Sequence, residues 1–228
     1  MMPSDLGAIT YPAESDGPRA LLVLAHGAGA GQTHPFMVAT ARGLARRGVD
    51  VVTFDFPYMA KRRGAPDRPP VLEASFRTAI DAARTWSAKE RRQGVPAVSA
   101  TRLFIGGKSM GGRIATHLGA QSATAVTPEE RLDGLAGIVA LGYPLHPPGK
   151  PEQLRTAHLP DITAPVLIVQ GERDAFGTPS EFEPILSAMK ARTTLHVVAG
   201  ADHSLSARGK KGPAIHDDVL DVIRGWMA

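Results

Sequence analysis

Gly107-Lys108-Ser109-Met110-Gly111 sets a serine between two glycines in the pattern G-x-S-x-G, immediately after the apolar run Arg102 to Ile105. A strand before this pentapeptide and a helix after it predict a sharp turn that lifts Ser109 clear of its neighbours, the flanking glycines leaving room for the backbone. The competing reading is an ordinary glycine-rich turn with Ser109 as a helix N-cap. A serine hydroxyl is a weak nucleophile, so it needs a base, and the base needs an orienting acid. Asp174 in Gly171-Glu172-Arg173-Asp174 and His203 in Gly200-Ala201-Asp202-His203-Ser204 follow later apolar runs, giving the chain order Ser, Asp, His. Glu172 is the second choice of acid, and Asp202 is assigned to shaping the turn, since adjacent side chains point apart. Acyl chemistry also requires donors for a developing oxyanion. The Met110 amide at the start of the next helix is one; the other is placed at Ala28, or next at Gly29, in the loop His26-Gly27-Ala28-Gly29-Ala30-Gly31. His26 is read as structural. Tyr58, Lys108, Tyr143 and His146 are candidates for lining the substrate site.

These residues sit in loops, and the elements that must position them follow from hydrophobic patterning. Short apolar runs at Ala20 to Ala25, Val49 to Phe56, Arg102 to Ile105, Gly137 to Leu141, Pro165 to Val169 and Thr194 to Val198 read as parallel strands, with Ala8 to Tyr11 as an antiparallel edge. Amphipathic segments alternate with them. Phe36 to Arg47 follows Pro35 and stops at Gly48, as a helix should. Leu72, Phe76, Ile80, Ala83 and Trp86 share one helical face, leaving Arg77, Asp81, Arg84 and Lys89 towards water, and Ile215, Val219, Val222, Ile223 and Trp226 repeat the pattern. The fold class predicted is α/β, a mainly parallel sheet of about six to seven strands with helices on both faces. Three loops at the carboxyl ends of strands then converge on one edge of the sheet. The proline-rich stretch Gly142 to Ala164 is too short for a large cap domain, so the site is expected to be open.

Composition removes several other functions. The chain of 228 residues has no cysteine, which excludes disulfides and thiolate chemistry and fits a cytoplasmic location. Met1-Met2-Pro3-Ser4-Asp5 begins no apolar run of leader length, and no stretch approaches a membrane span. The formal charge of +4 is spread over short groups such as Arg46-Arg47, Lys61-Arg62-Arg63, Arg91-Arg92 and Lys210-Lys211, so nucleic-acid binding is not expected. The eight histidines show no ligand spacing, and no metal is expected. A phosphate-binding loop ending in Gly107-Lys108-Ser109 would need glycine where Arg102 stands, and a dinucleotide fingerprint at Gly27 and Gly29 finds Gln32 in place of its last glycine.

The constellation resembles the α/β-hydrolase superfamily, in its dienelactone-hydrolase-like branch, and is similar to the testis-expressed protein 30 family. The resemblance covers nearly the whole chain. It rests on His26-Gly27-Ala28-Gly29, Phe54-Asp55-Phe56-Pro57-Tyr58, Gly107 to Arg113, Tyr143-Pro144-Leu145-His146 and Gln170 to Asp174. It implies one α/β-hydrolase domain over residues 1–228, a Ser109, Asp174, His203 triad, an oxyanion hole at Ala28 and Met110, and no cofactor. Dienelactone hydrolases proper carry a cysteine where this chain carries Ser109. The expected activity is hydrolysis of a small ester, thioester or related acyl substrate through an acyl-enzyme. The alternative is a catalytically silent scaffold, because one relative of this family is a subunit of a chromatin-modifying complex.

Overall fold

The computed structural model describes residues 7–14, 20–91, 101–206 and 215–228. Met1 to Asp5, Arg92 and Lys210-Lys211 lie outside the described residues. Seven strands form one sheet: β1 (Ile9–Tyr11), β2 (Ala20–Ala25), β3 (Val49–Phe54), β4 (Arg102–Lys108), β5 (Leu135–Leu141), β6 (Val166–Gly171) and β7 (Thr193–Val198). Their order is β1-β3-β2-β4-β5-β6-β7. Every pairing is parallel except that of β1, which runs antiparallel to β3 with Ile9 opposite Thr53. This is the α/β-hydrolase architecture expected above, with no cap domain among the described residues.

The helices are α1 (Pro35–Ala45), α2 (Pro57–Ala60), α3 (Pro69–Arg91), α4 (Met110–Thr124), α5 (Pro179–Ala188) and α6 (Asp217–Trp226). Successive side chains on β2 leave opposite faces of the sheet. Leu21, Val23 and Ala25 join a core with Leu72, Phe76, Ile114 and Phe182 from α3, α4 and α5. Ala20, Leu22 and Leu24 join a second core with Met37, Leu44, Val219 and Ile223 from α1 and α6. A strand buried on both faces must be apolar throughout, which is why β2 reads ALLVLA.

Several boundaries differ from the sequence reading for local reasons. β3 ends at Phe54 rather than Phe56, because Pro57 opens α2 and holds Phe56 extended at its N-cap. β4 continues through Gly106 and Gly107, which pair in register with Leu24 and Ala25. A Cβ on Gly106 would lie 2.3 Å from the Val139 carbonyl oxygen, so these glycines are strand residues demanded by tight packing rather than the start of the turn. α1 stops two residues before Arg47, and Gly48 leaves it at φ 80°. Parallel register brings the ends of β2, β4, β5, β6 and β7 to one edge of the sheet. There Ala25 pairs with Gly107, Lys108 with Leu141, and Gly171 with Val198.

Candidate active site

Ser109 occupies the turn between β4 and α4 at φ 50° and ψ −115°, and its side chain caps no helix amide. Ser109 thus stands at the N-cap position of α4 without acting as a side-chain cap. A non-glycine residue held in this region is strained by on the order of 1–3 kcal/mol, and it persists only where the surroundings enforce it. They do so here: the Ser109 amide donates to the Leu141 carbonyl at 2.9 Å, tying the turn to β5. A Cβ on Gly107 would stand 2.5 Å, and one on Gly111 2.4 Å, from the Ala25 carbonyl oxygen. Both glycines of the pattern are therefore required by the close approach of β2, and the serine between them projects into a cavity.

His203 comes to Ser109 from the loop after β7. Its Nε2 lies 2.9 Å from Ser109 Oγ, and its Nδ1 lies 2.8 Å from Asp174 Oδ2. A carboxylate can only accept, so Nδ1 carries the hydrogen and Nε2 is free to accept the serine O–H. Asp174 is 1% exposed, and its two oxygens are fully engaged. Oδ1 accepts the Phe176 amide at 2.8 Å, while Oδ2 also accepts Gln170 Nε2 at 2.9 Å. Gln170, completely buried at the end of β6, donates as well to the Gly177 carbonyl and accepts the Tyr143 amide. Phe176 covers the imidazole of His203 with ring centroids 4.1 Å apart. Lys108 Nζ donates to the His203 carbonyl at 2.6 Å, and burial pushes this lysine down to about 8 against the pull of Asp174 and Asp202.

A cavity of about 820 Å³ opens at Ser109, lined by Ala28, Gly29, Lys108, Met110, Phe176 and His203 among others. Ala28 and Met110 thus share the cavity with the serine. Glu172 instead accepts the Gly200 amide, and Asp202 accepts both the amide and the hydroxyl of Ser204, shaping the turn before β7's loop continues. His26 is buried, donates from Nδ1 to the Gly27 carbonyl and accepts the Phe56 amide at Nε2; burial holds it below the ordinary histidine range.

Three of the four candidate lining residues are corrected by the structure. Tyr58, Tyr143 and His146 do not line the cavity. Tyr58 is fully buried behind it, and its hydroxyl donates to the Ala28 carbonyl at 2.9 Å, holding the glycine-rich loop in place. Tyr143, also fully buried, donates to the Arg155 carbonyl at 2.7 Å. His146 is turned towards Glu181 and the Pro147 carbonyl. Proximity to a strand end placed their backbones correctly, but packing sent their side chains into the protein. The sequence reading also missed Gln170, Phe176, Arg113 and Arg155. Gln170 carried a usable signal, a polar residue closing the apolar run Val166 to Val169. The buried ends of parallel strands tolerate such a residue only when its hydrogen bonds are met.

A glycine-bounded serine at a strained turn, met by histidine and a buried aspartate at the carboxyl edge of a mostly parallel sheet, defines the hydrolase class of α/β proteins. The chain belongs to the alpha/beta hydrolase domain family, which matches residues 18–227. Among solved structures, the dienelactone hydrolase of Anabaena variabilis is similar at 18% identity and a TM-score of 0.62, over 96% of this chain and 89% of that one. An alpha/beta serine hydrolase without lid from Xanthomonas campestris aligns over 96% of this chain and 85% of its own, at 18% identity and a TM-score of 0.60. The monoacylglycerol lipase of Paleococcus ferrophilus aligns over 96% and 97% of the two chains, at 15% identity and a TM-score of 0.64. At these identities the likeness is one of fold.

Proposed function

We propose that the protein is a serine hydrolase that cleaves a small ester, thioester or related acyl compound, with residues 1–228 as one hydrolase domain. The observation that carries this reading is the continuous hydrogen-bonded chain from Ser109 through His203 to Asp174, at 2.9 and 2.8 Å, built on a strained turn that opens into a cavity. Ser109 Oγ attacks the acyl carbon as His203 Nε2 takes its proton. Asp174, fixed by Gln170 and the Phe176 amide, holds the imidazole in the tautomer that can accept and stabilises the imidazolium that forms. The carbonyl oxygen turns towards the amides of Ala28 and Met110, where negative charge gathers. Return of the proton to the leaving alcohol or thiol gives the acyl-enzyme, and water activated by His203 releases the acid.

The same residues support a place beside the testis-expressed protein 30 family and, with the cysteine-free sequence, in the cytoplasm. Among the described residues no helix is long and apolar enough to cross a membrane. A series of p-nitrophenyl esters of graded acyl length tests the activity: the native protein is expected to turn over the short members, with kcat lowered at least about a thousandfold in Ser109→Ala. Equal rates for native and variant would remove the reading.

A further inference from the structure

Four cationic side chains line the Ser109 cavity: Lys108, Arg113, Arg155 and Arg173. Two are already engaged, Lys108 with the His203 carbonyl and Arg173 with the Gly200 carbonyl. The other two are not. Arg113 Nε is buried without a hydrogen-bond partner, and neither the Arg113 nor the Arg155 guanidinium forms an ion pair or hydrogen bond among the described residues. Arg155 is bonded only through its backbone, its amide to Leu145 and its carbonyl to the Tyr143 hydroxyl. The nearby carboxylates are engaged elsewhere in part. Glu73 accepts His117 Nδ1 and Gln121 Nε2, each at 2.8 Å, and Asp202 holds Ser204; Asp67, which also lines the cavity, pairs through Oδ1 with Arg63 at 2.6 Å, while its Oδ2 is buried without a hydrogen-bond partner.

An arginine Nε withdrawn from water without a partner is costly, and two guanidinium groups lining one cavity repel each other. Burial lowers the proton affinity of Arg113, with Tyr143 and Glu73 acting against it and Arg155 acting in the same direction. Arg113 follows Ser109 by one turn of α4, its amide donating to the Ser109 carbonyl at 3.1 Å, which spaces the two backbones by about 6 Å along the helix. Planar guanidinium forks match the oxygens of a carboxylate or phosphate.

We propose that Arg113 and Arg155 form an anion subsite of the Ser109 cavity, selecting acyl substrates that carry a carboxylate or phosphate on the part held away from the scissile carbonyl. Its role in turnover rests on the hydrolase reading above; its ability to bind does not. Tyr143 acts as a positioning residue, clamping the backbone of Arg155 from behind the cavity.

The first experiment measures binding alone. Thermal unfolding of the full chain is followed with glutarate and with glycerol 3-phosphate, against glutaramide and glycerol at matched ionic strength. The native protein is stabilised by at least one dianion and by neither neutral compound, and the gain is lost in Arg113→Met and in Arg155→Met. Whichever dianion acts names the source of the charge. The second experiment compares kcat/KM for p-nitrophenyl monoglutarate and p-nitrophenyl valerate. The native preference for the charged ester falls about 10- to 100-fold in either variant, chiefly through KM. Arg113→Gln and Arg155→Gln give the same reading if a methionine variant fails to fold. Arginine-dependent stabilisation without any ester turnover supports the subsite and removes the hydrolase reading. Turnover that depends on Ser109, with no dianion stabilisation and no change of selectivity in the variants, overturns the subsite and leaves the hydrolase reading standing.

Discussion

Ser109 is held in a backbone conformation that glycine adopts without penalty and serine does not. Ser109→Gly is therefore expected to be about 1 kcal/mol more stable than Ser109→Ala, while both lose turnover; thermal unfolding of the two variants checks this. Gln170 holds Asp174 from within the sheet, and Gln170→Leu removes a donor from a buried carboxylate. Its expected effect is a loss of about 1–3 kcal/mol in stability and a slower reaction of Ser109 with an acylating reagent, read separately by denaturation and by stopped-flow. Ser109, Asp174 and His203 were legible in the sequence because each follows a glycine-marked strand end. Arg113 and Arg155 were not, and Gln170 was legible only as a polar residue closing an apolar run. Their roles depend on which side chains are left with or without partners, and spacing along the chain carries no record of that. Tyr58, Tyr143 and His146 show the converse: their positions near the site were readable, but not the inward direction of their side chains.

The loop that leaves β5 runs close against Lys108 at the end of β4 and against His203 in the loop after β7. Gly142 there has φ 63°, and a Cβ on it would lie 2.7 Å from Lys108 Nζ and 3.1 Å from the His203 carbonyl. Gly142→Ala is expected to displace the Lys108 clamp, costing about 1–3 kcal/mol and lowering kcat. Lys108 itself titrates near 8 in the fold, below its ordinary 10.5. Between those values the unfolded chain binds the extra proton, so this group's contribution to stability rises as pH rises through the window. Relative to Lys108→Met, the native protein should gain on the order of 1–3 kcal/mol between pH 8 and 10 in chemical denaturation; a constant difference would contradict the burial of the charge. Strands were the most legible elements because β2, β3 and β6 are buried on both faces and are largely apolar, with Asp50, Thr53 and Gln170 the polar interruptions. Their ends were less so. Glycines in β4 serve close packing and look like turn residues, and α5, unassigned from sequence, has Pro184 inside it although its Thr178–Glu181 capping box was present to be read.

At the scale of the molecule, two cores on opposite faces of one sheet fix a carboxyl edge on which five loops meet, and among the described residues no element roofs it. Ser109 stays partly exposed in an open cavity. Hydrolysis of a short ester should accordingly rise smoothly with concentration, with no jump at the onset of aggregation, since the described residues form no lid over Ser109. The fold class followed from the alternation of apolar runs and amphipathic helices, and the openness from the shortness of the 142–164 stretch. The charge character of the cavity emerges only when α4 and that stretch are brought together. The central claim, that this geometry makes Ser109 a nucleophile, is tested most directly by incubating the protein with a fluorophosphonate and mapping the adduct by mass spectrometry. The account predicts one adduct, on Ser109, absent from Ser109→Ala and strongly slowed in His203→Ala. An unlabelled native protein, or equal labelling of Ser109→Ala, would contradict it.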